Sequence, residues 1–114
     1  MMLFEPLKVS GMQLKNRIVS TPLVTNLASD DGFVTDDLIE RYARQARGGV
    51  GWIISEAVVI QKNKSPRNVR ASDDEYVPGL KKWAAAVHSE SKGVKIGVQL
   101  GHFLKVAQGE RPGT

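Results

Sequence analysis

Apolar residues alternate with polar ones in two short runs near the start, Leu7-Lys8-Val9 and Met12-Gln13-Leu14, on either side of Ser10-Gly11. Alternation broken by a Ser-Gly pair predicts a β-hairpin over 7–14. Asn16-Arg17-Ile18-Val19-Ser20-Thr21 is rich in β-branched residues and stops at Pro22. It predicts a buried strand, because proline has no N–H for a central ladder. From Thr35 the period lengthens: Leu38, Ile39, Tyr42, Ala43 and Ala46 share one helical face. Thr35 is a suitable N-cap, and Asp36 and Asp37 sit where the helix dipole favours negative charge. Arg44 and Arg47 lie near the far end, and Gly48-Gly49 permits the left-handed residue that ends such helices.

Val50-Gly51-Trp52-Ile53-Ile54-Ser55 is almost wholly apolar, as a parallel strand covered on both faces should be. A polar loop runs from Gln61 to about Ser72. Asp73-Asp74-Glu75 leads into a second helix with Pro78 in its first turn and a buried stripe of Leu80, Trp83, Ala84 and Val87. Lys92-Gly93 closes that helix, and Lys95-Ile96-Gly97-Val98-Gln99-Leu100 predicts a third strand. The stretch 107–114, with Gly109, Pro112 and Gly113, reads as a loop tail. The order is a hairpin followed by β-α-β-α-β, which predicts an α/β fold with parallel strands and right-handed crossovers.

Three parallel strands alone would leave two bare edges and one uncovered face. The Val50–Ser55 segment is too apolar for an edge. The expectation is therefore either one part of a longer chain or a module that self-associates to cover these surfaces.

The 114 residues limit the chain to one domain, and 41% hydrophobic with 25% charged residues is ordinary for a globular protein. The start carries neither a basic nor an apolar signal region, and no apolar run approaches the ~18 residues that span a bilayer. Cysteine is absent. These features point to a cytoplasmic protein without disulfides or cysteine-bound metal. The net charge of +4 arises from lysines and arginines scattered among twelve acids, with no basic run and little aromatic interleaving. A solvated surface is the better reading than a nucleic-acid footprint, which needs clustering. No membrane partner is expected either.

In parallel α/β sheets, ligands bind beyond the carboxyl ends of the strands. Those ends carry Pro22-Leu23-Val24, then Glu56-Ala57, then Gln99 followed by His102, and the strands' common direction puts them on one rim. An apolar wall with a few amide groups suits a planar heteroaromatic ring. Gln99 offers one acceptor and two donors to an edge that has both kinds, and Ala57 is small enough to let a ring approach.

Several segments occur in order and at consistent spacing: Leu3-Phe4-Glu5-Pro6-Leu7, Leu14-Lys15-Asn16-Arg17-Ile18-Val19, Pro22-Leu23-Val24-Thr25-Asn26, Asp31-Gly32-Phe33-Val34-Thr35, Ala46-Arg47-Gly48-Gly49-Val50-Gly51, Glu56-Ala57, Pro78-Gly79-Leu80-Lys81-Lys82 and Gln99-Leu100-Gly101-His102. The set resembles the N-terminal portion of NADH:flavin oxidoreductases of the Old Yellow Enzyme family and covers nearly the whole chain. The resemblance implies the first three strands of a (β/α)8 TIM barrel whose bottom is plugged by the hairpin. It also implies non-covalent FMN, reduced by NAD(P)H, passing hydride to a small-molecule acceptor such as an enone-type activated alkene. The family's flavin-contacting positions map onto Pro22, Leu23, Val24, Ala57 and Gln99. The position of Val24 is often Thr or Cys in the family, and valine cannot donate a hydrogen bond there. After His102, Phe103-Leu104-Lys105 departs from the small residue, Gly and Arg of many relatives. The substrate-binding pair and phosphate anchor belong to later strands, so this chain is expected to be inactive alone and to carry no catalytic residue. The non-enzymatic alternative is a truncated barrel module acting as a homo-oligomer.

Other residues read as structural. Glu56 is a lone carboxylate best suited to a hydrogen-bonding role, and His102 lacks a second metal ligand at useful spacing. His88 reads as a partly covered helix residue, and Trp52 and Trp83 as packing groups. Gly48-Gly49-Val50-Gly51 precedes a strand, whereas phosphate loops follow one.

Overall fold

Ser10 and Gly11 both take left-handed backbone, with φ of 44° and 86°, the geometry that turns two antiparallel strands tightly. In the computed structural model, which describes residues 2–62 and 66–102, they join β1 (Leu7–Val9) to β2 (Met12–Leu14), with Leu7 opposite Leu14 and Val9 opposite Met12. The hairpin follows from its alternation and its turn.

A second sheet holds β3 (Val19–Ser20), β4 (Trp52–Val59) and β5 (Lys95–Gly101), all parallel, with β4 in the centre. The apolar run is thus the central strand. β3 is shorter than the expected Asn16–Thr21 segment, and Val19 is exposed. The reason lies in Asn16. Its buried side chain donates to the Gly49 carbonyl (2.7 Å) and accepts from the Ile18 N–H (3.1 Å), which diverts the chain before the ladder begins. The ladder then opens with the Gly51 N–H on the Ile18 carbonyl at 3.0 Å.

β4, in contrast, runs four residues past Ser55. Its end gains a neighbour on each side: Val59 pairs with Gly101 of β5, and on the other flank with Arg70, where the Val59 N–H meets the Val69 carbonyl at 2.8 Å. Glu56 and Ala57 therefore lie within the strand and not after it.

Between β3 and β4 runs α1 (Asp36–Arg47), capped by Thr35, whose hydroxyl accepts from the Leu38 N–H at 3.1 Å. The expected face is buried at Leu38, Tyr42, Ala43 and Ala46, and Gly49 supplies the left-handed residue after it (φ 102°). Asp74–Tyr76 forms a separate 3₁₀ turn before α2 (Val77–Glu90), in which Pro78 sits in the first turn. Trp83 and Val87 of α2 are buried, but Leu80 and Ala84 are only half-buried, because they line an apolar groove against β5. His88 is exposed and not partly covered. The core joins Leu38, Tyr42, Ala46, Ile53, Val58, Trp83 and Val87, with the Tyr42 and Trp83 rings edge to face, centroids 4.9 Å apart. Lys15 and Ser91 link the hairpin side to the end of α2 by a hydrogen bond. The expected loop tail 107–114 and the Phe103–Lys105 departure lie outside the described residues.

Candidate functional site

The register between β4 and β5 contains one irregularity that decides which side chains share a face. Ile54 pairs with Gly97, and the next registered pair is Ala57 with Gln99. β4 advances three residues while β5 advances two, so β4 carries one extra residue, a β-bulge. Gly97 and Gln99 lie two apart and point to the same side. Their partners Ile54 and Ala57 must then also share that side, although three residues separate them. Without the bulge, Glu56 would follow Ile54 onto this face. With it, Glu56 turns to the helix layer and Ala57 stands beside Gln99.

Glu56 is fully buried. Its Oε1 accepts from the Tyr42 hydroxyl of α1 at 3.1 Å and from the Thr25 hydroxyl at 2.8 Å. The Tyr42 oxygen in turn accepts from the Glu56 N–H at 2.9 Å, and Thr25 Oγ1 accepts from the Leu27 N–H at 3.3 Å. Ser55 donates its hydroxyl to the Glu56 carbonyl (2.8 Å) beside the bulge. Burial raises the Tyr42 phenol above its ordinary pKa, and the Glu56 charge pushes the same way, while the Glu56 N–H that it accepts pulls against them. The structural role expected of Glu56 is thus specific: it is the junction of β4, α1 and the segment that follows β3.

That segment is Pro22–Asn26. The parallel pairing of Val19 with Trp52 and Ser20 with Ile53 carries it toward the carboxyl end of β4, and Thr25 pins it to Glu56, next to Ala57. Asn26 is left-handed at φ 59°. Leu23 and Val24 are 67% and 50% exposed, a large apolar exposure for adjacent residues. Pro22 is half-buried, Ala57 buried and Gln99 exposed. The five expected site residues thus gather at the carboxyl end of the sheet: Pro22, Leu23 and Val24 from the first tip, Ala57 from the second and Gln99 from the third. His102 follows β5, is exposed, and has no part in a metal cluster among the described residues. Thr25, Tyr42 and the bulge were not singled out for the site by sequence. Thr25 adjoins the Pro22–Val24 run, Tyr42 looks like any helix-face aromatic, and a bulge of one residue leaves no mark in an apolar strand.

This surface fits one side of a planar heteroaromatic ring: exposed aliphatic side chains from the first tip, a small residue from the second, and an exposed carboxamide from the third.

Residues 2–111 match the NADH:flavin oxidoreductase / NADH oxidase family. The chain is 42% identical over 103 residues to an NADH oxidase of Thermoanaerobacter brockii, covering 88% of this chain and 16% of that protein. It is 37% identical over 103 residues to an NADPH dehydrogenase of Listeria monocytogenes, covering 88% of this chain and 30% of that one. Among solved structures it superposes on an Old Yellow Enzyme of a Pichia species with a TM-score of 0.77 at 31% identity, over 87% of this chain and 26% of that one. The chain therefore spans less than a third of the length of each of these relatives.

Proposed function

The chain belongs to the NADH:flavin oxidoreductase / NADH oxidase family, and from that premise we propose that it forms one side of the FMN site of a larger NAD(P)H-dependent oxidoreductase. In this reading β3, β4 and β5 are the first three strands of a (β/α)8 barrel, and the hairpin closes its bottom. The observation that carries the proposal is the convergence of exposed Leu23 and Val24, small Ala57 and exposed Gln99 at one strand-end surface.

FMN, when bound, supplies the two-electron carrier that takes hydride from NAD(P)H and gives it to an acceptor, here an activated alkene of the enone type. The chain's own residues bind and orient. Backbone groups of Pro22–Val24 would meet the polar edge of the ring, Leu23 and Val24 would exclude water from one flank, and the Gln99 carboxamide would pair with the pyrimidine edge through one acceptor and two donors. Ala57 would leave room for the ring. No residue here is assigned proton transfer, so the chain alone should not turn over.

The test is reconstitution of the full-length protein. It should bind FMN, absorb near ~450 nm as the oxidised cofactor does, and bleach under NADH or NADPH without oxygen. Full-length protein that stays colourless after incubation with FMN would refute the reading.

A second reading draws on the groove of ≈ 320 Å³ lined by Val58, Leu80, Trp83, Ala84, Ile96 and Leu100. In the barrel reading the next helix packs there, whereas in the alternative a copy of this chain does, as a non-enzymatic homo-oligomer. The mass of the natural gene product and its oligomeric state in solution separate the two.

A further inference from the structure

We propose that Glu56 is the positioning residue of the flavin-facing segment, holding Leu23 and Val24 in place through Thr25 from behind the sheet. The proposal rests on the flavin reading above and adds a residue and a mechanism to it.

Three observations carry it. The first is the junction itself. One carboxylate oxygen, Glu56 Oε1, takes hydroxyl donors from two different elements: Tyr42 of α1 at 3.1 Å, and Thr25 of the strand-end segment at 2.8 Å. Thr25 adjoins Val24, so the point where Thr25 is fixed sets where the backbone of Leu23 and Val24 lies. The second is contrast. Glu56 is 0% exposed while Leu23 and Val24 are 67% and 50% exposed. These two side chains gain little packing of their own, so the tie at Thr25 does the work that burial does elsewhere. The third is the bulge. By giving β4 one extra residue between Ile54 and Ala57, it puts Glu56 on the helix side while Ala57 keeps the site side. One strand thus holds the ring-facing residue and its anchor back to back.

The chemistry of the group agrees with a tether. A buried carboxylate is a costly packing unit, and apolar side chains in place of the whole Glu56–Tyr42–Thr25 cluster would usually stabilise the fold as well or better. What apolar side chains cannot do is hold two hydroxyls at one point. Oε2 of Glu56 is buried with no partner among the described residues, so the carboxylate still has capacity for another donor.

The test uses the full-length protein and a double-substitution cycle between Thr25→Val and Glu56→Leu. Thr25→Val is nearly isosteric and removes the hydroxyl, and Glu56→Leu replaces the carboxylate by an apolar side chain of comparable bulk. Apo-protein is titrated with FMN, and the dissociation constant, the visible spectrum and the apo melting temperature are recorded. Thr25→Val should weaken FMN about tenfold, because a segment no longer fixed beforehand must be ordered when the ring binds. It should also blur the vibrational shoulders of the flavin band as the ring loses its fixed surroundings. Thr25→Ser should restore both. In the Glu56→Leu background Thr25→Val should cost clearly less FMN affinity than in the wild type, because the tie to Glu56 is already gone and only the Leu27 N–H bond is left to lose. The proposal is overturned if Thr25→Val lowers the melting temperature but leaves FMN affinity and spectrum unchanged. Equal losses from Thr25→Val in both backgrounds also overturn it. Should Glu56→Leu fail to fold, Thr25→Val against Thr25→Ser decides alone. Wild-type protein that takes up no FMN defeats the flavin reading and this proposal together, whereas FMN binding that is indifferent to Thr25 defeats this proposal only.

Discussion

Gly51→Ala should be strongly destabilising, although nothing about its backbone torsion demands glycine. Gly51 is buried at the start of the β3–β4 ladder, where its N–H donates to the Ile18 carbonyl at 3.0 Å. A Cβ there would lie 2.5 Å from Asn16 Oδ1 and 2.8 Å from the Asn16 carbonyl oxygen. The side-chain oxygen could swing away only by breaking the Asn16 bonds to the Gly49 carbonyl and the Ile18 N–H. The backbone oxygen could move only by shifting the strand. Overpacking of this kind costs about 1–3 kcal/mol, and the two hydrogen bonds add roughly 0.5–1.5 kcal/mol each. Stiffening of the unfolded chain returns about 0.4–1 kcal/mol. The net loss should be about 1–6 kcal/mol. It is read by urea unfolding of the full-length protein followed by the fluorescence of Trp52, the half-buried neighbour. An Asn16→Ala background should remove the side-chain part of the cost and leave the backbone part. If Gly51→Ala unfolds at the same or higher urea than wild type, the close approach of Asn16 does not set the β3–β4 junction.

Val24→Thr in the full-length protein should raise the flavin midpoint potential by roughly 30–60 mV, since a new hydrogen bond to a charged group is worth about 1.5–3 kcal/mol and 30 mV of a two-electron couple is about 1.4 kcal/mol; spectroelectrochemical titration showing no rise removes Val24 from the ring's surroundings. Tyr42 carries a pH signature. Burial first, and then Glu56, raise its pKa in the folded state, so its contribution to stability is intact below the unfolded tyrosine value near ~10 and is lost as pH rises through and above it. Unfolding followed by tyrosinate absorbance should therefore show an alkaline loss that Tyr42→Phe reduces. At neutral pH that variant should cost about 1–3 kcal/mol by stranding Glu56. An alkaline limb unchanged in Tyr42→Phe would count against the assignment.

Much of the fold was readable because local signals agreed with each other. The hairpin has alternation and a turn pair that accepts left-handed backbone. The first helix has a cap, charges suited to its dipole, one apolar face and a glycine stop. The central strand declared itself by being apolar throughout. What stayed hidden was non-local. β3 is cut short by the side chain of Asn16 bonding across to Gly49, and β4 is lengthened by pairing with Arg70, which no window around Val59 contains. Leu80 and Ala84 follow helical period yet are only half-buried, since burial depends on what packs against the groove and not on spacing. The site divides in the same way. That strand ends converge follows from parallel topology, and Gln99 was readable as a carboxamide near such an end. The linkage of Thr25, Glu56 and Tyr42 was not, because it depends on a bulge that reverses which face each residue takes.

Where the flavin ring lies against these three strands decides whether they form its site. A crystal structure of the full-length protein with FMN bound measures that directly. The ring should rest against Leu23 and Val24 on one flank, with its pyrimidine edge within hydrogen-bond distance of Gln99 and Ala57 in contact beside it. A ring held elsewhere in the barrel, with Gln99 facing solvent and Leu23 and Val24 covered by protein, would contradict it.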